Sequence, residues 1–223
     1  MKKSRVIIIT GFIVCNLISS NWAFAGNQYE IVITNLTRGQ IFSPILVATH
    51  RKEVKLFELG APASPELAAL AQDGETDELT DMLFSMAVGN VAAVGNVVVS
   101  SPLLPGATVT IEIPAVRTFN YISLAAMIVT TNDGFIALNG IKAPTGKYPE
   151  TYMSPAYDAG SEANDEMCDY IPGPPCNSHY QASAMAGEGY IHIHAGIQGV
   201  GDLAPAEFDW RNPVAKITIR RKI

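Results

Sequence analysis

The sequence predicts an all-β fold, an antiparallel β-sandwich with one or two short helices inserted. Two observations lead there. Short runs with β-branched alternation recur along the chain, and Gly, Pro and Asn separate them at modest spacing. Length is the third constraint, because a chain of this size buries about 70% of its unfolded surface and can sustain one core.

The chain opens Met1-Lys2-Lys3-Ser4-Arg5, continues through an apolar stretch over 6–18 and reaches Ala23-Phe24-Ala25 before Gly26. A charged start, an apolar centre and an A-x-A site define a secretory signal peptide over 1–25. Its roughly 13 apolar residues are too few to span a bilayer comfortably. Val14 occupies the place where lipidation of Cys15 would need a small residue, so Cys15 is read as part of the signal. Cleavage removes 25 of 223 residues and leaves 198 as one domain, 26–223. Three basic and no acidic residues go with the signal, so the net charge of −6 becomes −9. That balance argues against nucleic acid and anionic membrane as partners. No later apolar run is long enough to cross a membrane, so no insertion is expected after cleavage. Cys168 and Cys176 then remain in an oxidising compartment, with Pro172, Gly173, Pro174 and Pro175 between them, and are expected to form a local disulfide.

The first strand is predicted over 29–36, where β-branched residues alternate. A second follows over 44–50. Ser64 then reads as an N-cap with Pro65 at the first helical position, and Asp73-Gly74 ends that helix. Thr76 caps a second helix in which Leu79, Met82, Leu83 and Met86 fall at i, i+3, i+4 and i+7, an apolar stripe expected to pack inward across an edge or end of the sheets. Further strands are predicted over 96–100, 107–113, 121–129, 134–138, 189–195 and 214–219.

The densest chemistry lies in the run from Tyr157 to Glu166. Asp158, Glu162, Asp165 and Glu166 put four carboxylates into nine residues with no matching run of Lys or Arg, the oxygen-rich donor set of a hard divalent cation such as Ca2+. Gly160 at the third place and Ala163 at the sixth exclude an EF-hand. Loops at one end of a sandwich can instead share the ligands, which brings in Asp133 in the turn Thr131-Asn132-Asp133-Gly134. Against this stands a plainer reading, in which Asp133 serves the turn and the acids of 158–169 form a solvated loop.

His192 and His194 share one face of a predicted strand with Tyr190, a pattern that can present two imidazoles to a transition metal. Gln198 and Gly199 stand where a cupin needs Glu, and no third ligand has clear spacing, so hydrogen bonding within the strand face is the default role. A metalloenzyme built on His192 and His194 is the alternative function. No nucleophile elbow, P-loop or dinucleotide fingerprint occurs, and the chain is not expected to be an enzyme. Trp210 is expected to anchor the loop 201–213, and Arg211 to pair with Asp209 or Asp202. Asn35-Leu36-Thr37 is a glycosylation sequon in form.

Four motifs in order carry a family resemblance: Thr37-Arg38-Gly39-Gln40-x-Phe42-Ser43-Pro44, Tyr157-Asp158-Ala159-Gly160-Ser161-Glu162, Gly187-Glu188-Gly189-Tyr190-Ile191-His192-Ile193-His194, and Trp210-Arg211-Asn212-Pro213-Val214-Ala215. Together the chain from about 28 to 219 resembles the spondin N-terminal domain family. The resemblance implies a β-sandwich similar to C2 domains, secreted, with calcium bound at one end. The family's metal-binding aspartates fall on Asp133 and Asp158, and a third acid falls on Glu162, where many relatives carry Asp. Asp165 is an additional candidate. The expectation is therefore a secreted or periplasmic Ca2+-binding module with an adhesive or structural role toward an extracellular protein or glycan.

Overall fold

The computed structural model describes residues 26–85, 94–99, 101–115, 118–176, 183 and 185–222. The signal segment with Cys15, and Met86 of the helical stripe, lie outside the described residues.

Among the described residues, ten strands form two antiparallel sheets. The first has four strands in the order β4 (Thr108–Ala115), β1 (Asn27–Asn35), β10 (Ala215–Lys222), β7 (Glu150–Ser154). The second has six, in the order β3 (Val94–Val99), β2 (Ile45–His50), β5 (Tyr121–Met127), β6 (Gly134–Lys142), β8 (Ala156–Asp158), β9 (His192–Ile193). Period-2 alternation explains the first sheet directly. Tyr29, Ile31 and Ile33 of β1 lie beside Ile111 and Ile113 of β4 and Ile217 and Ile219 of β10, all turned into the space between the sheets. Glu30, Glu112, Arg220 and Lys222 occupy the other face, where Arg220 pairs with Glu30 and Lys222 with Glu112.

The inner strands of the second sheet, β2, β5 and the first half of β6, are buried on both sides. Ile45, Val47, Leu124, Ala126, Ile136 and Leu138 face the first sheet, while Leu46, Ala48, Ala125, Phe135 and Ala137 face outward onto helices α1 (Pro65–Asp73) and α2 (Asp77–Ser85). This is why 121–128 reads as nearly continuous apolar sequence. Leu67, Leu70, Leu79 and Leu83 form the helical stripe against that face. The helices thus cover a sheet face rather than an edge or end, since only the face offers a second apolar layer. Ser64 Oγ accepts the Leu67 N–H, and Gly74 in a left-handed conformation closes α1, as its capping residues predict.

Two strands were not visible in the sequence, and one is cut to two residues where seven were predicted. In β7, Glu150, Thr151 and Met153 are exposed, so no apolar alternation marks it. β8 is three residues long and preceded by Pro155. Of the span 189–195, only His192 and Ile193 pair as strand, because the chain at 187–190 folds against the 158–162 segment instead.

Asn35 of the sequon is fully buried. Its Nδ2 donates to the carbonyls of Gln40 (2.7 Å) and Leu103 (3.1 Å), and its Oδ1 accepts the Thr37 N–H. Its role is to tie β1 to two loops, and the fold leaves no room for a glycan there.

Cys168 and Cys176 are joined, as expected. The bridge closes a short loop directly after the acidic run, and Ile171 within it is buried in the inter-sheet core. Closing a loop of this length stabilises by about 2–3 kcal/mol on chain-entropy grounds. The Cys168→Ser/Cys176→Ser double variant should therefore melt about 5–10 °C lower by calorimetry, and an unchanged midpoint would show that the loop contributes nothing to the cooperative unit.

Candidate metal centre

The β5–β6 turn begins the site. Thr131 Oγ1 donates to the Ile128 carbonyl (2.6 Å) and accepts the Gly134 N–H (2.9 Å), so the hydroxyl closes the turn that carries Asn132 and Asp133. Gly134 is needed by close packing: a Cβ there would lie 2.6 Å from Thr131 Oγ1 and 3.1 Å from the His194 ring. Register does the rest. Gly134 lies opposite Asp158 in the β6–β8 ladder, and the Ala159 N–H donates to the Asp133 carbonyl. Asp133 and Asp158 come from segments 25 residues apart and end as neighbours at one end of the sandwich, both with no solvent exposure.

Their hydrogen bonds come from the main chain and from neutral side chains. Asp133 Oδ2 accepts from Ser161 N (2.7 Å), Ser161 Oγ (2.9 Å) and Glu162 N (2.9 Å). Asp133 Oδ1 is buried and accepts nothing among the described residues. Asp158 Oδ1 accepts from Gly160 N (2.8 Å), and Oδ2 from Asn164 Nδ2 (2.7 Å). No described Lys or Arg forms an ion pair with either acid. Burial, and secondarily the charge of Asp158, pushes the Asp133 carboxyl up to about 6. Burial likewise raises Asp158, against the opposing pull of the Asn164 and Gly160 hydrogen bonds.

The other predicted acids sit close by but are engaged differently. Glu162 is buried, donates its main-chain N–H to Asp133 and accepts the Ser183 N–H at Oε1 (2.9 Å). Asp165 Oδ1 accepts from Asn132 Nδ2 (3.0 Å) and Met167 N (3.0 Å), while Oδ2 is buried with no hydrogen bond. Asn132 therefore links the turn to the acidic run, since its Oδ1 also accepts the Glu166 N–H. Glu166 is a supporting residue whose role sequence reasoning missed. Its carboxylate accepts the main-chain N–H groups of Gln198, Gly199 and Val200, anchoring the end of the run to the next loop. The glycine-flanked stretch 198–201, able to present consecutive N–H groups to an anion, was the available signal.

The two histidines do share a face, and both approach Asp158: His192 Nε2 lies 3.6 Å from Oδ1 and His194 Nε2 lies 3.9 Å from Oδ2. Their chemistry differs. His194 is buried against Trp210 at a ring separation of 5.0 Å, and desolvation lowers its pKa to about 4, so it is neutral near pH 7. Its Nδ1 accepts the Gly196 N–H (3.0 Å), which leaves the proton on Nε2. A nitrogen carrying a proton cannot ligate a metal, so this arrangement gives no support to a centre built on the His192 and His194 pair. Trp210 anchors its loop as expected, and Arg211 pairs with Asp209, while Asp202 accepts the Cys168 N–H.

Residues 28–163 match the spondin N-terminal domain family (Spondin_N), more than half of the chain, and the chain belongs to that family. The match includes Asp133, Asp158 and Glu162 and ends before Asp165. No curated protein matches the chain. Family membership and the disulfide are both consistent with an extracellular module, and no described helix is long and apolar enough to cross a membrane.

The electrostatics yield a pH-dependent test in cation-free protein. The folded pKa of Asp133 lies above its ordinary 3.8, so the folded state binds the extra proton. This group therefore lowers stability as pH rises from about 4 to about 6, and the cost persists in full above that. Asp133→Asn keeps an acceptor toward Ser161 and Glu162 and removes the charge. With chelator present the variant should melt roughly 3–6 °C above wild type near pH 7.5, equivalent to about 1–2 kcal/mol, with the gap narrowing near pH 5. A variant less stable than wild type near pH 7.5 would contradict an uncompensated charge at this position.

Proposed function

We propose that this member of the spondin N-terminal domain family is a secreted module that binds Ca2+ through Asp133 and Asp158, with Glu162 and Asp165 as the further acids of the site. One observation carries the reading. Two adjacent, fully buried carboxylates have no described Lys or Arg partner, and Asp133 Oδ1 has no described hydrogen-bond donor. Burying a charge without a partner costs several kcal/mol, and neutral donors offset only part of it. A hard divalent cation offsets the rest and prefers an all-oxygen donor set of this kind. Asp165 Oδ2, also buried without a hydrogen bond, adds a further oxygen near the same turn.

The chemistry the ion would supply is charge neutralisation and a crosslink between the 131–134 turn and the 158–166 segment. Those segments are otherwise joined by hydrogen bonds from uncharged donors, most of them through the Asn132 and Asp133 side chains, so the ion stiffens that end of the sandwich. Tyr190, Ile193 and Val200 are exposed on segments that lie against Gly160, pair with Tyr157 and hydrogen-bond to Glu166, which gives a rigid end an apolar component for contact. The function is then adhesive or structural, toward an extracellular protein or glycan, from a secreted or periplasmic location.

Thermal unfolding measures this directly. A site in the affinity range of extracellular modules, near 10⁻⁴ M, gains about 2.7 kcal/mol when calcium is about 100-fold above Kd. Wild type should then melt about 5–10 °C higher in roughly 10 mM calcium than in chelator, and both Asp133→Asn and Asp158→Asn should abolish that increment. An increment that survives Asp133→Asn would overturn the assignment.

A further inference from the structure

Beside the two buried acids is a second donor set of a different character. Among the described residues, Asp158, Glu188 and His192 are the group whose ligand atoms all lie within 4.8 Å of one another. His192 Nε2 is 3.6 Å from Asp158 Oδ1 and 3.6 Å from Glu188 Oε2. Both separations are too long for hydrogen bonds. They equal the edge of a coordination tetrahedron, because ligands about 2.0–2.2 Å from zinc at tetrahedral angles lie roughly 3.3–3.6 Å apart.

The proton on His192 agrees. Its Nδ1 is 3.0 Å from the Ile193 carbonyl, an acceptor only, so Nδ1 carries a hydrogen and Nε2 is the nitrogen turned toward the two carboxylates. Donation of the outer ring N–H to a main-chain carbonyl is the usual orientation of a metal-bound imidazole. Asp158 is itself oriented from behind by the Gly160 N–H on Oδ1 and the Asn164 amide on Oδ2.

The backbone holds these groups together. Asp158 and His192 are directly opposed in the β8–β9 pair, which puts their side chains on one face. Glu188 precedes His192 by four residues on a turn whose Gly189 has φ +80° and donates its N–H to the Gly160 carbonyl (2.8 Å). A Cβ on Gly160 would lie 2.3 Å from the Tyr190 carbonyl oxygen, and one on Gly187 would lie 2.5 Å from that of Glu162. Glycine at these positions lets the two segments lie in contact, and that contact brings Glu188 to the pair.

We infer that Asp158, Glu188 and His192 form a binding site for a borderline divalent ion of the zinc class, separate from the calcium site and sharing Asp158 with it. An imidazole nitrogen among three donors favours zinc over calcium, whose ligands are oxygens. Glu188 and His192 lie outside the residues that match the family. Asp158, with two oxygens and about four lone-pair directions, has acceptor capacity for both ions. Glu188 is exposed and His192 partly so, which leaves the remaining coordination positions open to water.

The test uses tag-free, full-length processed protein titrated with Zn2+ alone in saturating calcium, read by calorimetry, with Co2+ as a spectroscopic substitute. One zinc per chain is expected. His192→Ala and Glu188→Gln should each weaken binding at least tenfold and remove the visible cobalt band, while Asp133→Asn, which removes the calcium response, should leave zinc affinity and the band unchanged. Absence of zinc binding in wild type overturns the inference. So does unaltered affinity in His192→Ala, or loss of zinc together with calcium in Asp133→Asn, which would mean one common site. Absence of a calcium response in wild type, with zinc binding intact, would sink the calcium assignment and leave this one standing.

Discussion

The β6–β8 pairing that sets Gly134 opposite Asp158 is the constraint on which this end of the molecule depends. It buries the Asp133 and Asp158 carboxylates side by side, where like charges and low polarity both oppose ionisation. Everything around them responds to that cost. Main-chain N–H groups converge on the oxygens, the 158–166 segment folds tightly over the turn, and the imidazole of His194 is driven to its neutral form by the same dry surroundings.

The supporting network is built mostly from backbone donors, and this makes it both stiff and short of charge. Ser161, Glu162 and Gly160 orient the aspartates through main-chain N–H groups, Asn132 clips the turn to Asp165 and Glu166, and Glu166 in turn collects three N–H groups from 198–200. Such donors polarise toward an anion but carry no net positive charge. In the proposed reading a cation supplies that charge, with the hard and the borderline ion on different faces of Asp158.

Much of the fold was legible. The strand patterns over 29–36 and 214–219 identified the first sheet's central strands, and Ser64, Pro65 and Gly74 marked α1 at both ends. β7 escaped because an exposed edge strand needs no apolar pattern, and β8 because three residues carry too little periodicity to read. The 189–195 run reads as a longer strand since its β-branched residues alternate well. Tertiary contact with 158–162 overrode that propensity beyond His192 and Ile193. The helices were correctly found and wrongly seated, since a sequence stripe says which side is buried but not which surface covers it.

Residue chemistry alone determined the acid-rich donor set, the cysteine pair, the H-x-H pattern and the family motifs, because each is a matter of which side chains occur at which spacing. Tertiary structure decided the rest. Strand register chose Asp133 and Asp158 as the buried neighbours, the Gly196 N–H chose the tautomer of His194, and a glycine-permitted loop contact brought Glu188 to His192. These outcomes depend on distances between segments far apart in the chain, and such distances are set by packing and main-chain hydrogen bonds that local sequence does not encode.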